Sequence, residues 1–168
     1  MELDTITLET TMRTIMTATH VAVEAHTGKV SPHSEEPYIH HLIEVAYLVR
    51  SLEFTSLAER AVAEAAAWLH DVVEDTNVPV SELTQALVAE GVPDTIADEV
   101  ATVVTLLTKT PGEPNKDYYA RIKTNELAVV VKAADMAANL AANKFLPDGE
   151  TKERLFKKYT EGLEYLAS

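Results

Sequence analysis

Apolar residues recur every three or four positions along most of this 168-residue chain, which is the spacing of one buried face of an α-helix. In the first such segment the repeat begins at Leu8 and stops at Gly28, a residue type that commonly ends helices. Four later segments begin at or directly after a proline, serine or asparagine (Pro37, Ser81, Pro93 and Asn115), which are typical helix-start residues. The pattern predicts eight helices: Leu8–Thr27, Tyr38–Glu53, Leu57–Asp75, Ser81–Gly91, Pro93–Leu107, a short helix capped by Asn115, Leu127–Asn143 and Glu150–Leu166.

The segments between these helices are short and polar. Thr108–Pro114 is the clearest loop, because it holds two prolines and a glycine within seven residues. No strand pattern of comparable strength, no internal repeat and no linker composition interrupts the series. At this length a single domain can bury a substantial core. The sequence therefore predicts one all-α domain that covers residues 1–168.

The third predicted helix differs from the others in composition. It is rich in alanine from Ala61 to Trp68. Small side chains let neighbouring helices approach closely, so this helix is expected to lie at the centre of the fold. It then turns acidic in the stretch Trp68–Thr76, just before Asn77 and Pro79.

The acidic end of the third helix suggests a metal site. On a continuous helix His70 would lie above Glu74, and Asp71 above Asp75. Three carboxylates would then crowd the last turn, where the helix dipole already disfavours negative charge. A bound cation would offset that charge.

Composition narrows the possible functions. The chain has no cysteine, so disulfides are excluded and any metal must use histidine and carboxylate ligands. A formal net charge of −13 argues against a general binder of nucleic acid or anionic membranes. Ten of the fourteen basic residues lie between Lys109 and Lys158, which leaves room for a locally positive pocket for a small anion.

The same composition bears on location. No stretch approaches the roughly 18 apolar residues of a membrane-spanning helix. The acidic start, Met1–Asp4, lacks the pattern of a signal peptide. A cytoplasmic protein is the plain expectation, while the oligomeric state is left open.

Two further segments offer ligands for the suspected metal. Tyr38-Ile39-His40-His41 places a histidine pair at a helix start, and Asp135 lies between two alanine pairs in a helix that looks buried. Asn139 is four residues after Asp135, so the two side chains share a helix face and Asn139 could bond a substrate. Because a divalent ion needs about four ligands, several helices would have to contribute.

Each of these residues also has a purely structural interpretation. A His-Asp pair is common and usually incidental, and Glu74-Asp75 alone is most often a solvated helix end. Asp135 alone is more often a buried partner for a lysine or a backbone cap. His26, His33 and His40 look like ordinary surface or loop histidines. The occurrence of all the motifs together, in one order, favours a ligand set.

With these motifs the chain resembles the RelA/SpoT-type HD phosphohydrolases. In its length it is similar to small stand-alone alarmone hydrolases of the metazoan type. The resemblance covers residues of about 20–166 and implies the HD phosphohydrolase fold, with no room for a synthetase or regulatory domain. It is carried by His26-Thr-Gly28, Pro37-Tyr38-Ile39-His40-His41, Val45-Ala46, His70-Asp71-Val-Val-Glu74-Asp75-Thr76 and Ala134-Asp135-x-x-x-Asn139-Leu140.

The resemblance implies one bound divalent ion, most often manganese. It selects His41 over His40, since the family spacing is Pro-Tyr-Ile-x-His. The implied ligands are His41, His70, Asp71 and Asp135.

The resemblance also implies roles for residues around the metal. Glu74 and Asp75 would be the catalytic acids that position the attacking water and accept its proton. Asn139 would contact the sugar of a nucleotide substrate. Lys109 and Tyr159 correspond to positions that meet substrate phosphates.

The chain departs from the family pattern where the family holds the base. Ser31 and Pro32 stand where an Arg-Lys pair is usual, and one extra residue precedes Pro37. Lys29 or His33 could substitute, although neither is a planar bidentate donor. Leu42 replaces a proline, and Met136-Ala137 replaces a more polar pair.

Three functions are compatible with this set. The first is a manganese-dependent hydrolase that removes the 3′-diphosphate from guanosine tetra- or pentaphosphate. The second is the same chemistry on another nucleotide, such as NADPH or a nucleoside monophosphate, which the altered loop motivates. The third is a non-catalytic nucleotide sensor. The presence of the Glu74-Asp75 pair argues against it, because a site without catalysis has little reason to hold uncompensated acids.

Overall fold

The protein folds as a helical bundle in a computed structural model that describes residues 6–168. The acidic start Met1–Asp4 lies outside the described residues. Helices make up the regular structure of the described part, which otherwise holds one isolated bridge between Val30 and Pro37. The helices are α1 (Leu8–Ala25), α2 (Ile39–Arg50), α3 (Leu57–Leu69), α4 (Val72–Asp75), α5 (Val80–Ala89), α6 (Asp94–Leu107), α7 (Asn115–Ile122), α8 (Glu126–Asn143) and α9 (Glu150–Ala167).

Local sequence signals explain where several helices begin. The side chains of Thr7, Ser56 and Asn125 each accept a hydrogen bond from a backbone N–H in the first turn of α1, α3 and α8. These bonds satisfy amide groups that have no partner inside the helix. The predicted all-α class is confirmed, and most predicted boundaries agree with the observed ones to within three residues.

The third predicted helix is wrong in one respect, because it is broken at His70 and Asp71. Helix α3 ends at Leu69, and Glu74 and Asp75 belong to the separate single turn α4. His70 Nδ1 donates to the carbonyl oxygen of Ala67 at 2.8 Å, the acceptor that a continuous helix would give to the N–H of Asp71. The acids therefore do not stack on the last turn of a long helix, so the expected clash of three carboxylates with the dipole of that helix is wrong.

The expectation that the alanine-rich helix is central is confirmed. Helix α3 packs against α1, α2, α6 and α8, and the alanines from Ala61 to Ala67 are fully buried. Helix α8 in turn contacts α2, α3 and α9. The start of α2, the end of α3 and the middle of α8 consequently meet at one place. Within residues 6–168, every helix is too short or too polar to cross a membrane.

Candidate metal centre and its cavity

All four predicted ligands converge where α2, α3 and α8 meet. His41 Nε2 lies 3.1 Å from Asp135 Oδ1 and 3.7 Å from Asp71 Oδ2. His70 Nε2 lies 2.9 Å from Asp71 Oδ2 and 3.7 Å from Asp135 Oδ1. The donor atoms of His41, His70 and Asp71 all fall within 4.8 Å of one another. Segments about 30 and 65 residues apart in sequence thus bring two imidazoles and two carboxylates together.

The hydrogen bonding of His70 fits a cation at this point. A carbonyl oxygen only accepts, so the bond to Ala67 fixes the proton of the neutral ring on Nδ1. Nε2 then presents a lone pair to the carboxylates, and among residues 6–168 this buried atom has no well-aligned hydrogen-bond partner. A lone pair facing two carboxylates is repulsive unless a positive charge lies between them. The donor set of two nitrogens and two oxygens suits a divalent metal ion.

The pKa values of His70 and Asp71 also indicate that the cluster favours a positive charge. Burial disfavours the charged form of His70, but Asp71 and Asp135 outweigh it and hold the pKa of the imidazole well above its usual value. Burial likewise opposes the charge on Asp71, yet His70 lowers the pKa of this carboxyl to about 2. The carboxylates stay charged, and a proton on His70 competes with any metal for the same site.

Asp135 has both of the partners that the sequence left open. Its Oδ2 accepts a hydrogen bond from Lys132 Nζ at 2.7 Å, as the structural interpretation expected. Its Oδ1 faces the two histidines and accepts from Asn139 Nδ2 at 2.6 Å. Against the effect of burial, Lys132 and the histidines hold the pKa of Asp135 well below its usual value. One oxygen is therefore fixed to the helix, and the other is aimed at the cluster.

The two predicted catalytic acids point to different surroundings. Glu74 lines the cavity beside the cluster, and its carboxylate accepts a hydrogen bond from the backbone N–H of Lys109. Burial is the main cause that raises the pKa of Glu74 above its usual value, a direction that suits a proton acceptor. The Asp75 carboxylate instead lies 3.5 Å from His26 Nε2 and is not among the residues that line the cavity. Their catalytic roles stay predictions.

A cavity of about 590 Å³ opens over the cluster. The three predicted substrate residues, Lys109, Asn139 and Tyr159, all line it. The volume falls within the usual range for small-molecule sites. Their position in one cavity is compatible with their roles in substrate binding, which stay predictions.

Sequence reasoning missed two lysines of this cavity. Lys132 and Lys158 both line it, and together with Lys109 they concentrate positive charge beside the metal cluster. Lys132 was detectable as the residue three positions before Asp135, on the same helix face. Burial and then the neighbouring Lys132 lower the pKa of Lys158, as crowded cations do. Three of the late basic residues therefore share one cavity, although carboxylates, among them Glu36, Glu44 and Glu74, line it as well.

The residues that depart from the family pattern lie at the same cavity. Ser31, Pro32 and His33 line its edge. Of the two proposed substitutes for the missing basic pair, only His33 is at the cavity, since Lys29 Nζ donates to the backbone carbonyl of Asp75. Leu42 is fully buried in the core and does not face the cavity.

The expectation that His26 is an ordinary surface or loop histidine is wrong. Its residue is 2% exposed, and Nδ1 lies 2.9 Å from the carbonyl oxygen of Ala22. The ring stacks on Tyr38, whose hydroxyl donates to Asp71 Oδ2. The burial depends on the packing of Tyr38, the residue before α2, against the end of α1, a contact between separate helices that no local pattern reveals.

Two comparisons with known proteins bear on this arrangement. A family model described as the HD domain matches residues 18–135. Among solved structures, a metazoan orthologue of SpoT, described as hydrolysing ppGpp and playing a role in starvation responses, is similar with a TM-score of 0.67. The alignment covers 91% of this chain and 85% of that chain, at 21% sequence identity. At this identity the likeness establishes the fold.

Proposed function

The chain belongs to the HD domain family, and from that premise we propose that it is a manganese-dependent 3′-pyrophosphohydrolase of guanosine tetra- and pentaphosphate. Membership of the family and the His/Asp cluster support a metal-dependent phosphohydrolase. The observation that carries the proposal is the meeting of His41, His70, Asp71 and Asp135 beside a cavity whose lining includes three lysines.

In this proposal the four cluster residues hold one divalent ion. When bound, the ion would act as a Lewis acid, which lowers the pKa of water and offsets the negative charge of the phosphates. Manganese suits the two imidazoles and two carboxylates of the set. Lys132 and Asn139 keep Asp135 in place through hydrogen bonds of 2.7 and 2.6 Å, so this ligand needs no rearrangement on binding.

Glu74 is the proposed acceptor of the proton from the attacking water, with Asp75 as the second acid. The water oxygen adds to the phosphorus that is attached to the ribose 3′-oxygen. The bond from this phosphorus to the 3′-oxygen breaks, and the 3′-oxygen takes up a proton. The products are GDP or GTP and pyrophosphate. Lys109, Lys132 and Lys158 attract the phosphates, because a cavity with walls of low dielectric constant focuses their charge.

A second candidate is the same hydrolysis on another nucleotide, such as NADPH or a nucleoside monophosphate. The observation that favours it is the presence of Ser31 and Pro32 at the cavity edge, where neither side chain supplies a bidentate donor for a base or a phosphate.

A nucleotide panel assayed with manganese separates the two candidates. The first predicts release of pyrophosphate from guanosine tetraphosphate, with GDP as the second product and loss of turnover after chelation. Turnover of NADPH or a nucleoside monophosphate without turnover of guanosine tetraphosphate would select the second. If the protein binds nucleotides but turns over none of them, both hydrolase candidates are refuted and the non-catalytic sensor remains as the function.

A further inference from the structure

The ring of His26 is held on two sides although the proposed reaction assigns it no part. Its side chain is fully buried at the end of α1. Nδ1 lies 2.9 Å from the carbonyl oxygen of Ala22, and because a carbonyl only accepts, Nδ1 must carry a proton. The ring plane stacks on Tyr38 at 5.2 Å between centroids and 21° between planes. The orientation of Nε2 is therefore fixed by its surroundings.

The fixed Nε2 faces the carboxylate of Asp75. The two atoms, Nε2 and Oδ2, lie 3.5 Å apart, and Nε2 has no well-aligned hydrogen-bond partner within the described residues. A lone pair on Nε2 would face a charged oxygen at this distance and repel it. An N–H at this position would be directed at the carboxylate within ion-pair distance, which is the arrangement through which the ring can hold Asp75.

Asp75 needs such a partner to keep one orientation. It ends the single turn α4 and its side chain is 37% exposed. The contact with His26 is the one polar contact that its carboxylate makes within residues 6–168. Its backbone is better held, since its N–H donates to Asp71 and its carbonyl oxygen accepts from Lys29 Nζ. Without His26 the carboxylate would be free to rotate.

We propose that His26 is a positioning residue for the reaction: through Nε2 it fixes the carboxylate of Asp75, and through its stack on Tyr38 it links Asp75 to Asp71. Tyr38 completes the link because its hydroxyl donates to Asp71 Oδ2. His26 does not line the cavity, so it acts on the reaction only through these neighbours. The inference rests on the proposed function, because it takes Asp75 as a catalytic acid.

The test compares two substitutions of His26 in the full-length protein loaded with manganese. His26→Phe keeps a ring against Tyr38 but removes both nitrogens, and we expect kcat for guanosine tetraphosphate to fall on the order of tenfold or more. KM and manganese content should stay unchanged, because His26 touches neither the cavity nor the cluster. In His26→Gln the side-chain amide can donate near the position of Nε2, so kcat should recover to within a few-fold of wild type. His20→Phe, on the exposed side of the same helix, is the control and should leave kcat unchanged.

An unchanged kcat in His26→Phe would overturn the proposal, as would equal losses in the Phe and Gln variants. A second measurement does not depend on turnover. If Nε2 contacts Asp75, the losses in unfolding free energy of His26→Phe and Asp75→Asn should sum to more than the loss in the double variant. Additive losses would refute the contact. If the wild-type protein hydrolyses no nucleotide while the losses are non-additive, the proposed function fails and the His26–Asp75 contact stands.

Discussion

At the scale of single residues, the site depends on side chains that use one polar atom for a hydrogen bond within the protein and turn the other towards the cluster. His70 gives Nδ1 to Ala67 and keeps Nε2 for the cluster. Asp135 gives one oxygen to Lys132 and turns the other towards the histidines. Partners of this kind fix the direction of a ligand before any metal binds, which lowers the entropy lost on binding.

Replacing Glu74 by Gln tests the proposed proton acceptor. The amide keeps the size of the side chain but cannot take up a proton, so kcat should fall by about 10²- to 10⁴-fold, the usual contribution of general acid–base catalysis. Manganese content should not change, since Glu74 is not in the ligand cluster. Steady-state kinetics with Glu82→Gln as control, on the exposed side of α5, measures the effect. Undiminished turnover would remove Glu74 from the mechanism.

Sequence reasoning reached some of these residues and not others. His41 and His40 are adjacent and chemically identical, so spacing within a family motif was needed to choose between them. The structure places His41 at the cluster, while His40 is exposed and lies near Glu36. The burial of His26 was not predictable, because it results from a ring contact between α1 and the start of α2.

At the scale of elements, the break between α3 and α4 is what separates Glu74 from the main helix. Caps and glycines are local signals, so the helix starts at Ser56 and Asn125 could be predicted from a few residues. The break at His70 could not, because a side-chain hydrogen bond within a strongly helical stretch causes it. The helix propensity of these residues favours one continuous helix, but the hydrogen bond from His70 to Ala67 interrupts it.

The packing of α8 against α9 depends on Gly162. A Cβ added there would lie 2.6 Å from Met136 Cε and 3.1 Å from the Tyr119 hydroxyl, both closer than ordinary contacts. Met136 Cε is the far end of a flexible side chain and can move aside, and alanine is favoured over glycine inside a helix by about 1 kcal/mol. Gly162→Ala should therefore change the unfolding free energy by less than about 1 kcal/mol in urea unfolding, but it should raise KM, because Met136 and Tyr119 line the cavity. Glu164→Ala, exposed on the same helix, should leave KM unchanged, and equal KM values for wild type and both variants would contradict this packing argument.

At the scale of the whole molecule, a protein of net charge −13 brings three lysines together in one cavity. Lys109, Lys132 and Lys158 come from a loop, from α8 and from α9, so only the fold brings them together. Composition could show that basic residues are concentrated late in the chain. It could not show which of them share a surface.

Reversing the charge of Lys158 tests whether the cavity attracts phosphates. Lys158→Glu should raise KM for guanosine tetraphosphate on the order of tenfold, which corresponds to about 1.4 kcal/mol of binding. The neighbouring Lys157 is the matched control, because its side chain is 75% exposed and pairs with Glu161 away from the cavity. Lys157→Glu carries the same change in net charge and should leave KM nearly unchanged. Equal effects of the two substitutions would indicate general electrostatics in place of a binding site.

The central claim is that side chains from three separate segments hold one divalent ion. Elemental analysis of the protein after incubation with manganese and removal of free metal tests it most directly. We predict about one manganese ion per wild-type chain, and only a small fraction of that amount in Asp71→Ala. The bound ion should also raise the melting temperature of the wild type by mass action. A wild-type protein that retains no metal, or an Asp71→Ala variant that retains as much as the wild type, would contradict the account.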